Sequence, residues 1–205
     1  MSFYLFPQAI PKTDCKKYLN HCLKTAKFKQ GSIVKDGLSD IPEQNLISNN
    51  IKSTKLDHSL RKTSVSFITN KNDLMNDLVW GFIRHANNEF FNYQLSYFQP
   101  IQFAMYQSGE YYDWHQDAAL LKTAPECRKL SLSISITDDE LYEGGTLEFY
   151  NGGRMHYKEW KDSTSSIRTV GSVVVFDSRD WHRVTAVTKG VKYSIVCWTI
   201  GPNFV

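Results

Sequence analysis

The sequence contains no long hydrophobic run. A membrane-spanning helix needs about 20 consecutive apolar residues, and no apolar stretch in these 205 residues approaches that length. The opening Met-Ser-Phe-Tyr-Leu-Phe lacks the basic start of a signal peptide, and Pro7 and Pro11 interrupt its apolar positions. We therefore expect a cytoplasmic protein that has no membrane partner.

Cysteine is scarce. The four cysteines stand at positions 15, 22, 127 and 197, and no two of them form a Cys-x-x-Cys pair. This spacing excludes a dense disulfide framework and the common zinc motifs, and it predicts reduced, mostly buried thiols.

The excess of charge is small, with a formal net charge of +3. Residues 1–70 contain 11 Lys and Arg against 5 Asp and Glu, whereas the remaining residues contain 13 against 16. The lysines are scattered and are not interleaved with aromatic residues, as a base-stacking surface requires. A nucleic-acid partner is therefore disfavoured although not excluded, and the oligomeric state stays open.

A single domain is expected over residues 1–205, because 41% hydrophobic residues are enough to bury one sizeable core. Residues 1–92 predict a helical flank with a polar loop, and the apolar positions of its helices recur with helical periodicity. Its predicted elements are a strand over 3–10, a helix capped by Thr13 and ending near residue 28, a polar loop or lid over 29–62, a strand over 64–68 and a helix over 73–91.

Strands dominate the predicted core, residues 93–205. Residues 129–137 alternate Leu or Ile with Ser or Thr, which is typical of a half-buried strand whose serine face looks toward a polar interior or solvent. Predicted strands cover 94–98, 101–107, 129–137, 146–150, 172–176 and 191–200. Many short strands favour a jelly roll whose mouth can hold a ligand, so we predict a mainly β fold with flanking helices.

A candidate metal site begins at His115 and Asp117. Side chains two residues apart on an extended segment leave the same face, so both can bind one cation. His182 follows a β-branched stretch that ends in a polar turn, and it is the best candidate for a second imidazole. Two histidines and one carboxylate are the ligands of non-haem Fe(II) oxygenases and leave positions open for a co-substrate and O₂. Lys192, at the start of the next predicted strand, offers a cation for a dicarboxylate.

These residues belong to a longer ordered pattern, which runs from about residue 102 to residue 201. Its elements are Tyr106, Tyr112, His115, Asp117, a strand led by Arg128, Glu143-Gly144-Gly145, His182-Arg183-Val184, Lys192-Tyr193-Ser194 and Trp198. The pattern resembles the 2-oxoglutarate- and Fe(II)-dependent dioxygenases, specifically the prolyl 4-hydroxylase-like branch with the bacterial PKHD-type hydroxylases. The resemblance implies a double-stranded β-helix, a cupin-like jelly-roll core braced by two helices.

The resemblance also implies roles for individual residues. The implied metal ligands are His115, Asp117 and His182, and the implied 2-oxoglutarate contacts are Lys192 with the distal carboxylate and Tyr106 and Ser194 through hydrogen bonds. Ser131 stands where prolyl 4-hydroxylases often have a threonine near the co-substrate, although an ordinary strand position explains it equally well. PKHD-type enzymes usually carry Arg at the position of Lys192, and lysine offers only a point charge. Prolyl 4-hydroxylases themselves use Lys there.

Five further residues flank the implied site and are candidate substrate contacts: Tyr112, Trp114, Arg128, Arg183 and Trp198. Packing explains the tryptophans equally well. The segments 29–62 and 151–168 are predicted to lie near the mouth of the barrel.

The implied activity is hydroxylation of a C–H bond, most readily of a prolyl or other residue in a peptide or protein. Its implied cofactors are Fe(II), 2-oxoglutarate and O₂, with ascorbate as a further candidate. One alternative is the same chemistry on a free amino acid, a small metabolite or a nucleic acid base. Another is a catalytically silent jelly-roll binding protein, against which Lys192 argues because a scaffold needs no cation for a co-substrate.

Overall fold

The computed structural model describes residues 3–31, 33–34, 54–55, 58–70, 73–118, 125–150 and 166–204. Within these ranges, the helices α1 (Lys12–Thr25) and α2 (Leu74–Ala86) accompany a series of antiparallel strands. The strands are β1 (Phe3–Phe6), β2 (Lys29–Gln30), β3 (Ile33–Val34), β4 (Thr54–Lys55), β5 (Arg61–Lys62), β6 (Ser64–Ile68), β7 (Tyr97–Phe98), β8 (Ile101–Tyr106), β9 (Tyr111–His115), β10 (Glu126–Ser135), β11 (Tyr142–Gly144), β12 (Leu147–Phe149), β13 (Val173–Asp177), β14 (His182–Val184), β15 (Val187–Gly190) and β16 (Lys192–Pro202).

Two sheets carry the architecture of the described residues. Eight strands form the major sheet in the order β1-β13-β10-β16-β8-β6-β2, with β7 paired to β16. Four strands form the minor sheet in the order β12-β14-β9-β5, and the short pairs β11-β15 and β3-β4 complete the set. The register places His182 opposite His115 in the minor sheet and Lys192 opposite Tyr106 in the major sheet.

The major sheet is covered on both faces. Apolar residues of α1 and α2, such as Cys22 and Ile83, join Leu132 in one buried cluster on the first face. The second face contacts the minor sheet through two smaller clusters, one of which joins Phe176 to Phe149. Burying one such large apolar side chain stabilises the fold by roughly 1.5–3 kcal/mol. The predicted mainly β fold with flanking helices is confirmed.

Strand β10 differs from its prediction, because it is buried on both faces and not half-buried. Ser131 has 0% relative exposure and Ser135 has 9%, since the minor sheet and residues 166–170 cover the side of the strand that carries them. Both hydroxyls are hydrogen-bonded, Ser131 to Asp117 and Ser135 to the carbonyl of Ile167. Hydrogen bonding allows a polar face to be buried at low cost.

The start of the first helix departs from the sequence prediction. Helix α1 begins at Lys12 and Thr13 is not its cap. Pro11, at φ −56° and ψ 141°, precedes the helix without a side-chain cap, and its carbonyl accepts the first helical hydrogen bonds, from the amides of Asp14 and Cys15. The helix ends at Thr25, three residues earlier than predicted.

The second helix has close to the predicted length, but its final part is π-helical and not α-helical. The Asp73 side chain accepts a hydrogen bond from the amide of Met75 and caps α2. A π-helical turn, Asn87–Phe91, then continues the chain to Asn92, whose φ of 54° is left-handed and ends the helical run.

Several strand boundaries also moved. The first strand stops at Phe6, because Gln8 adopts a left-handed φ of 47°, and the strand predicted over 94–98 covers only Tyr97–Phe98. The predicted loop over 29–62 contains the short strands β2, β3, β4 and β5, and its remaining central residues, including 35–53, lie outside the described residues. Within the described ranges, neither α-helix combines the length and apolar character that a transmembrane helix requires.

Candidate metal and co-substrate site

Three side chains from the minor sheet and its edge converge at one point. His115 is the last residue of β9, Asp117 follows two residues later, and His182 is the first residue of β14. The Nε2 atom of His115 lies 3.7 Å from Oδ1 of Asp117, and the Nε2 atom of His182 lies 3.4 Å from Oδ2. Their ligand atoms all lie within 4.8 Å of one another and all three residues are buried, which is a spacing that one metal ion can bridge.

Both imidazoles are oriented by the main chain. Nδ1 of His115 lies 2.7 Å from the carbonyl oxygen of Asp113, and Nδ1 of His182 lies 2.9 Å from the carbonyl oxygen of Asp180. A carbonyl oxygen can only accept, so each Nδ1 carries the proton and each Nε2 keeps its lone pair for a cation. Such hydrogen bonds to the non-ligating nitrogen are the usual support of metal-binding histidines.

The charges of the cluster also suit a divalent metal. Burial, followed by the neighbouring His182 imidazole, holds the pKa of His115 well below its usual range, so this ring is neutral near pH 7. Burial alone raises the pKa of the Asp117 carboxyl, but the two imidazoles, with Arg128 and the Ser131 hydroxyl, bring it to about 2. A neutral imidazole and a permanent carboxylate are ready to bind Fe(II) without first losing a proton.

Ser131 contacts the Asp117 carboxylate. Its hydroxyl donates to Oδ2 of Asp117 at 2.7 Å and lies 2.9 Å from the hydroxyl of Ser178. Ser178 belongs to the turn between β13 and β14, and its carbonyl accepts from the amide of Ala118. The two serines therefore fix the carboxylate from the side of the major sheet, whereas the sequence predicted a co-substrate contact for Ser131.

The other predicted co-substrate residues lie on the inner face of the major sheet. Lys192 and Ser194 alternate along β16 and are buried, and Tyr106 stands opposite Lys192 on β8. The Lys192 ammonium donates to the carbonyl of Gly145 at 2.7 Å and lies 5.6 Å from the centre of the Tyr106 ring. Burial, followed by the nearby Arg168 charge, lowers the pKa of Lys192 to about 7. Tyr106 shares a buried cluster with Tyr112, so the residues around Lys192 adjoin the candidate metal ligands.

Solved structures of similar fold are oxygenases. The chain aligns with a viral collagen prolyl hydroxylase from Paramecium Bursaria Chlorella virus-1, solved as a 2OG complex, at a TM-score of 0.63 and 16% identity, covering 98% of this chain and 97% of that one. It also aligns with a prolyl hydroxylase from Trichoplax adhaerens, solved with a peptide fragment of the hypoxia inducible factor oxygen degradation domain, at a TM-score of 0.65 and 14% identity, covering 97% and 83%. The predicted double-stranded β-helix core, a jelly roll, is confirmed.

Sequence comparison identifies the family. A PKHD-type hydroxylase from Thermosynechococcus vestitus is 33% identical over 102 residues, which are 48% of this chain and 42% of that protein. The chain thus spans less than half the length of this relative. Residues 101–200 match the model of the 2OG-Fe(II) oxygenase superfamily. This match covers just under half of the chain, which is similar to that superfamily over the segment. The cofactors predicted above, Fe(II), 2-oxoglutarate and O₂, are those of the 2OG-Fe(II) oxygenases.

The candidate site holds an arginine that sequence reasoning missed. The rings of Tyr112 and His115 stack with centroids 3.5 Å apart. Arg61, on β5 of the same sheet, places its Cζ 4.5 Å from the centroid of the Tyr112 ring. Arg61 is 2% exposed and also donates to Oε1 of Gln102 at 3.3 Å. It lies in a stretch that the sequence indicated to be a polar loop, where a lone arginine is normally solvated, so composition gave no signal for it.

The five candidate substrate residues divide between two faces. Tyr112, Arg128 and Trp198 are buried beside the triad, with Cζ of Arg128 lying 4.0 Å from the Trp198 ring centre. Nothing among the described residues accepts a hydrogen bond from the buried Nε1 of Trp198. Arg183 follows His182 on β14, so its side chain leaves the opposite face of the minor sheet, where it contacts Glu148 at 2.7 Å and the Trp114 ring at 4.8 Å.

Removing the Ser131 hydroxyl should weaken metal binding by this protein. Ser131→Ala deletes the hydrogen bond that fixes Asp117, and losing such a support typically costs about 10-fold or more in metal affinity. A titration of the apo-protein with Mn(II) measures the effect. The matched control is Ser133→Ala, on the same face of β10, which should bind Mn(II) like the wild type, and Ser131→Thr should restore affinity. Equal affinities for Ser131→Ala and the wild type would show that the hydroxyl does not support the carboxylate.

Proposed function

We propose that this chain is a 2-oxoglutarate- and Fe(II)-dependent dioxygenase that hydroxylates a C–H bond of a prolyl or other residue in a peptide or protein. The observation that carries the proposal is the buried His115–Asp117–His182 cluster with a buried lysine on the facing sheet. In this proposal the catalytic domain extends over residues 1–205, because both helices pack against the sheet that bears Lys192.

The three clustered side chains hold the metal in this proposal. Asp117 supplies the negative charge and the two Nε2 atoms supply neutral donors. When bound, Fe(II) with 2-oxoglutarate and O₂ supplies the oxidation of a C–H bond, with release of succinate and CO₂. Because the ligands are buried, the protein also excludes water from the reacting atoms.

The facing sheet binds the co-substrate. Lys192 pairs with the distal carboxylate, and Tyr106 and Ser194, which share its buried face, donate hydrogen bonds. Ser131 acts through Asp117 and orients the metal-binding carboxylate. A charge-assisted hydrogen bond from an ammonium to a carboxylate is roughly twice as strong as a neutral one, so Lys192 contributes most to co-substrate affinity.

The substrate side of the proposal rests on the interior group Tyr112, Arg128 and Trp198. These residues offer an aromatic and cationic surface next to the triad. A peptide substrate is supported by the similarity to prolyl hydroxylases of known structure, one of which was solved with a peptide fragment. Trp114 and Arg183 lie on the outer face and could contact only a part of a substrate that extends beyond the barrel.

Slow succinate formation without any substrate tests the proposal. The site can activate O₂ whenever iron and the keto acid are both bound, so the purified chain should convert 2-oxoglutarate to succinate in the presence of Fe(II). N-oxalylglycine should suppress this turnover, and Asp117→Ala should abolish it because the metal loses its one anionic protein ligand. The control is Asp77→Ala, an exposed carboxylate on α2, which should turn over 2-oxoglutarate at the wild-type rate.

Adding candidate substrates then decides the substrate class. We expect faster succinate formation with peptides and a gain of one oxygen atom in a peptide product by mass spectrometry. Stimulation by free amino acids, small metabolites or nucleic acid bases but not by peptides would replace the peptide proposal. Tight 2-oxoglutarate binding without succinate, alone or with any of these compounds, would make the chain a binding protein.

A further inference from the structure

Arg168 binds the segment 139–144, which precedes strand β12 of the minor sheet. Its guanidinium donates to the carbonyl oxygens of Asp139 at 3.1 Å, of Gly144 at 3.4 Å and of Tyr142. Its Cζ also lies 4.3 Å from the centre of the Tyr142 ring. One side chain therefore ties together three carbonyls and one ring of a six-residue segment.

The residue that follows this segment holds the Lys192 ammonium. The carbonyl of Gly145, directly after the gripped residues, accepts from Nζ of Lys192 at 2.7 Å. Gly145 has a φ of +61°, and a Cβ there would lie 3.0 Å from Cδ of Lys192. Because the backbone approaches the lysine this closely, a shift of the turn would move the ammonium.

Arg168 is itself held in place from both sides. Ile167 is buried with Phe149 and Phe176 between the two sheets, and its carbonyl accepts from the Ser135 hydroxyl at 2.7 Å. On the other side, the amide of Val170 donates to Oδ1 of Asp139 at 3.0 Å. The arginine therefore connects a rigid anchor in the core to the turn that holds the lysine.

We propose that Arg168 is a positioning residue for 2-oxoglutarate: it fixes the turn whose Gly145 carbonyl holds Lys192, and so sets where the distal carboxylate binds. The inference rests on the proposed function, in which Lys192 binds the distal carboxylate of 2-oxoglutarate. Arg168 acts through Lys192 and does not itself contact the co-substrate.

Arg168 also acts on Lys192 through its charge. The groups around the ammonium come from three elements: Tyr106 on β8, Tyr142 on β11 and Arg168. Of these three, Arg168 alone is charged near neutral pH, and burial raises the pKa of Tyr142 to about 12. Losing Arg168 should therefore raise the pKa of Lys192, which separates its electrostatic effect from its positioning effect.

The test is anaerobic titration of Fe(II)-loaded full-length protein with 2-oxoglutarate as a function of pH. At pH 6 Lys192 is protonated with or without Arg168, so Arg168→Met should bind 2-oxoglutarate about 10-fold more weakly through misplacement alone. At higher pH the difference should shrink, because the Lys192 of the variant keeps its proton longer. Fe(II) affinity and the rate of succinate formation at saturating 2-oxoglutarate should stay at wild-type values, which a general structural defect would not allow.

Two further variants complete the design. Arg168→Lys keeps the charge but cannot bond three carbonyls at once, so it should bind 2-oxoglutarate more weakly than the wild type with an unchanged pH profile, and it serves if Arg168→Met does not fold. Arg84→Met removes an exposed arginine from α2 and should change nothing. Wild-type affinity at pH 6 in either Arg168 variant overturns the inference. Absence of 2-oxoglutarate binding by the wild type would instead contradict the proposed function.

Discussion

Replacing His182 by alanine should abolish metal binding while the protein stays folded. Wild-type protein should take up about one Fe(II) or Mn(II) per chain, and His182→Ala and His115→Ala should each lose that ion because two remaining ligands do not make a stable site. The fold should survive, since each variant removes one imidazole and little of the apolar clusters. Metal content after dialysis and the thermal unfolding temperature measure the two effects.

The control for the histidine variants is His58→Ala. His58 is exposed, and it is its backbone carbonyl that accepts a hydrogen bond from the Tyr111 hydroxyl, so the variant should keep both metal and turnover. Full metal occupancy in both His115→Ala and His182→Ala would refute the assignment of the cluster as the metal site.

Replacing Lys192 by methionine should lower 2-oxoglutarate affinity by roughly 10–100-fold. The substitution keeps the length of the side chain and removes the cation, and a hydrogen bond to a charged group contributes about 1.5–3 kcal/mol. Metal binding should be unchanged, because the triad lies on the other sheet. Titration of the metal-loaded protein with 2-oxoglutarate gives the affinity directly.

The pH dependence gives this prediction an internal control. With a pKa of about 7 in the free site, Lys192 is an ammonium below pH 7 and a neutral amine above it. Binding a dicarboxylate requires the ammonium, so wild-type affinity should fall as pH rises above about 7, by up to about tenfold per unit, and this fall should be absent in Lys192→Met. Lys189→Met, which breaks an exposed pair with Glu143, should behave as wild type. If Lys192→Met titrates like the wild type, the anchor must be sought at the buried Arg128, since Arg183 lies on the outer face.

The metal ligands could be predicted from the sequence because their geometry is local. His115 ends strand β9 and Asp117 follows two residues later, so the short chain between them brings both side chains to one place. His182 could be predicted for a similar reason, since it follows the short turn after the buried strand β13. The fold class followed from the many short alternating segments and the two amphipathic helices.

The supporting residues could not be predicted, because their partners are distant in sequence and meet through sheet pairing. Ser131 meets Asp117 across 14 residues, and Arg61 lies against Tyr112 only because β5 pairs with β9. The sequence indicated only a turn at Gly145. Its carbonyl becomes relevant because it accepts from Lys192, which lies 47 residues later in the chain. The polar face of β10 was misjudged for the same reason, since a strand cannot indicate from its own residues what covers it.

The orientation of the two metal-binding imidazoles has a consequence for how this site can vary between species. Asp113 and Asp180 each contribute a carbonyl oxygen to a ligand histidine, and every amino acid carries that atom. Natural selection on the metal centre therefore constrains the path of the main chain at these two positions and leaves the identity of their side chains free of that demand. A comparison of side-chain identities alone would therefore pass over the two positions that aim the imidazoles.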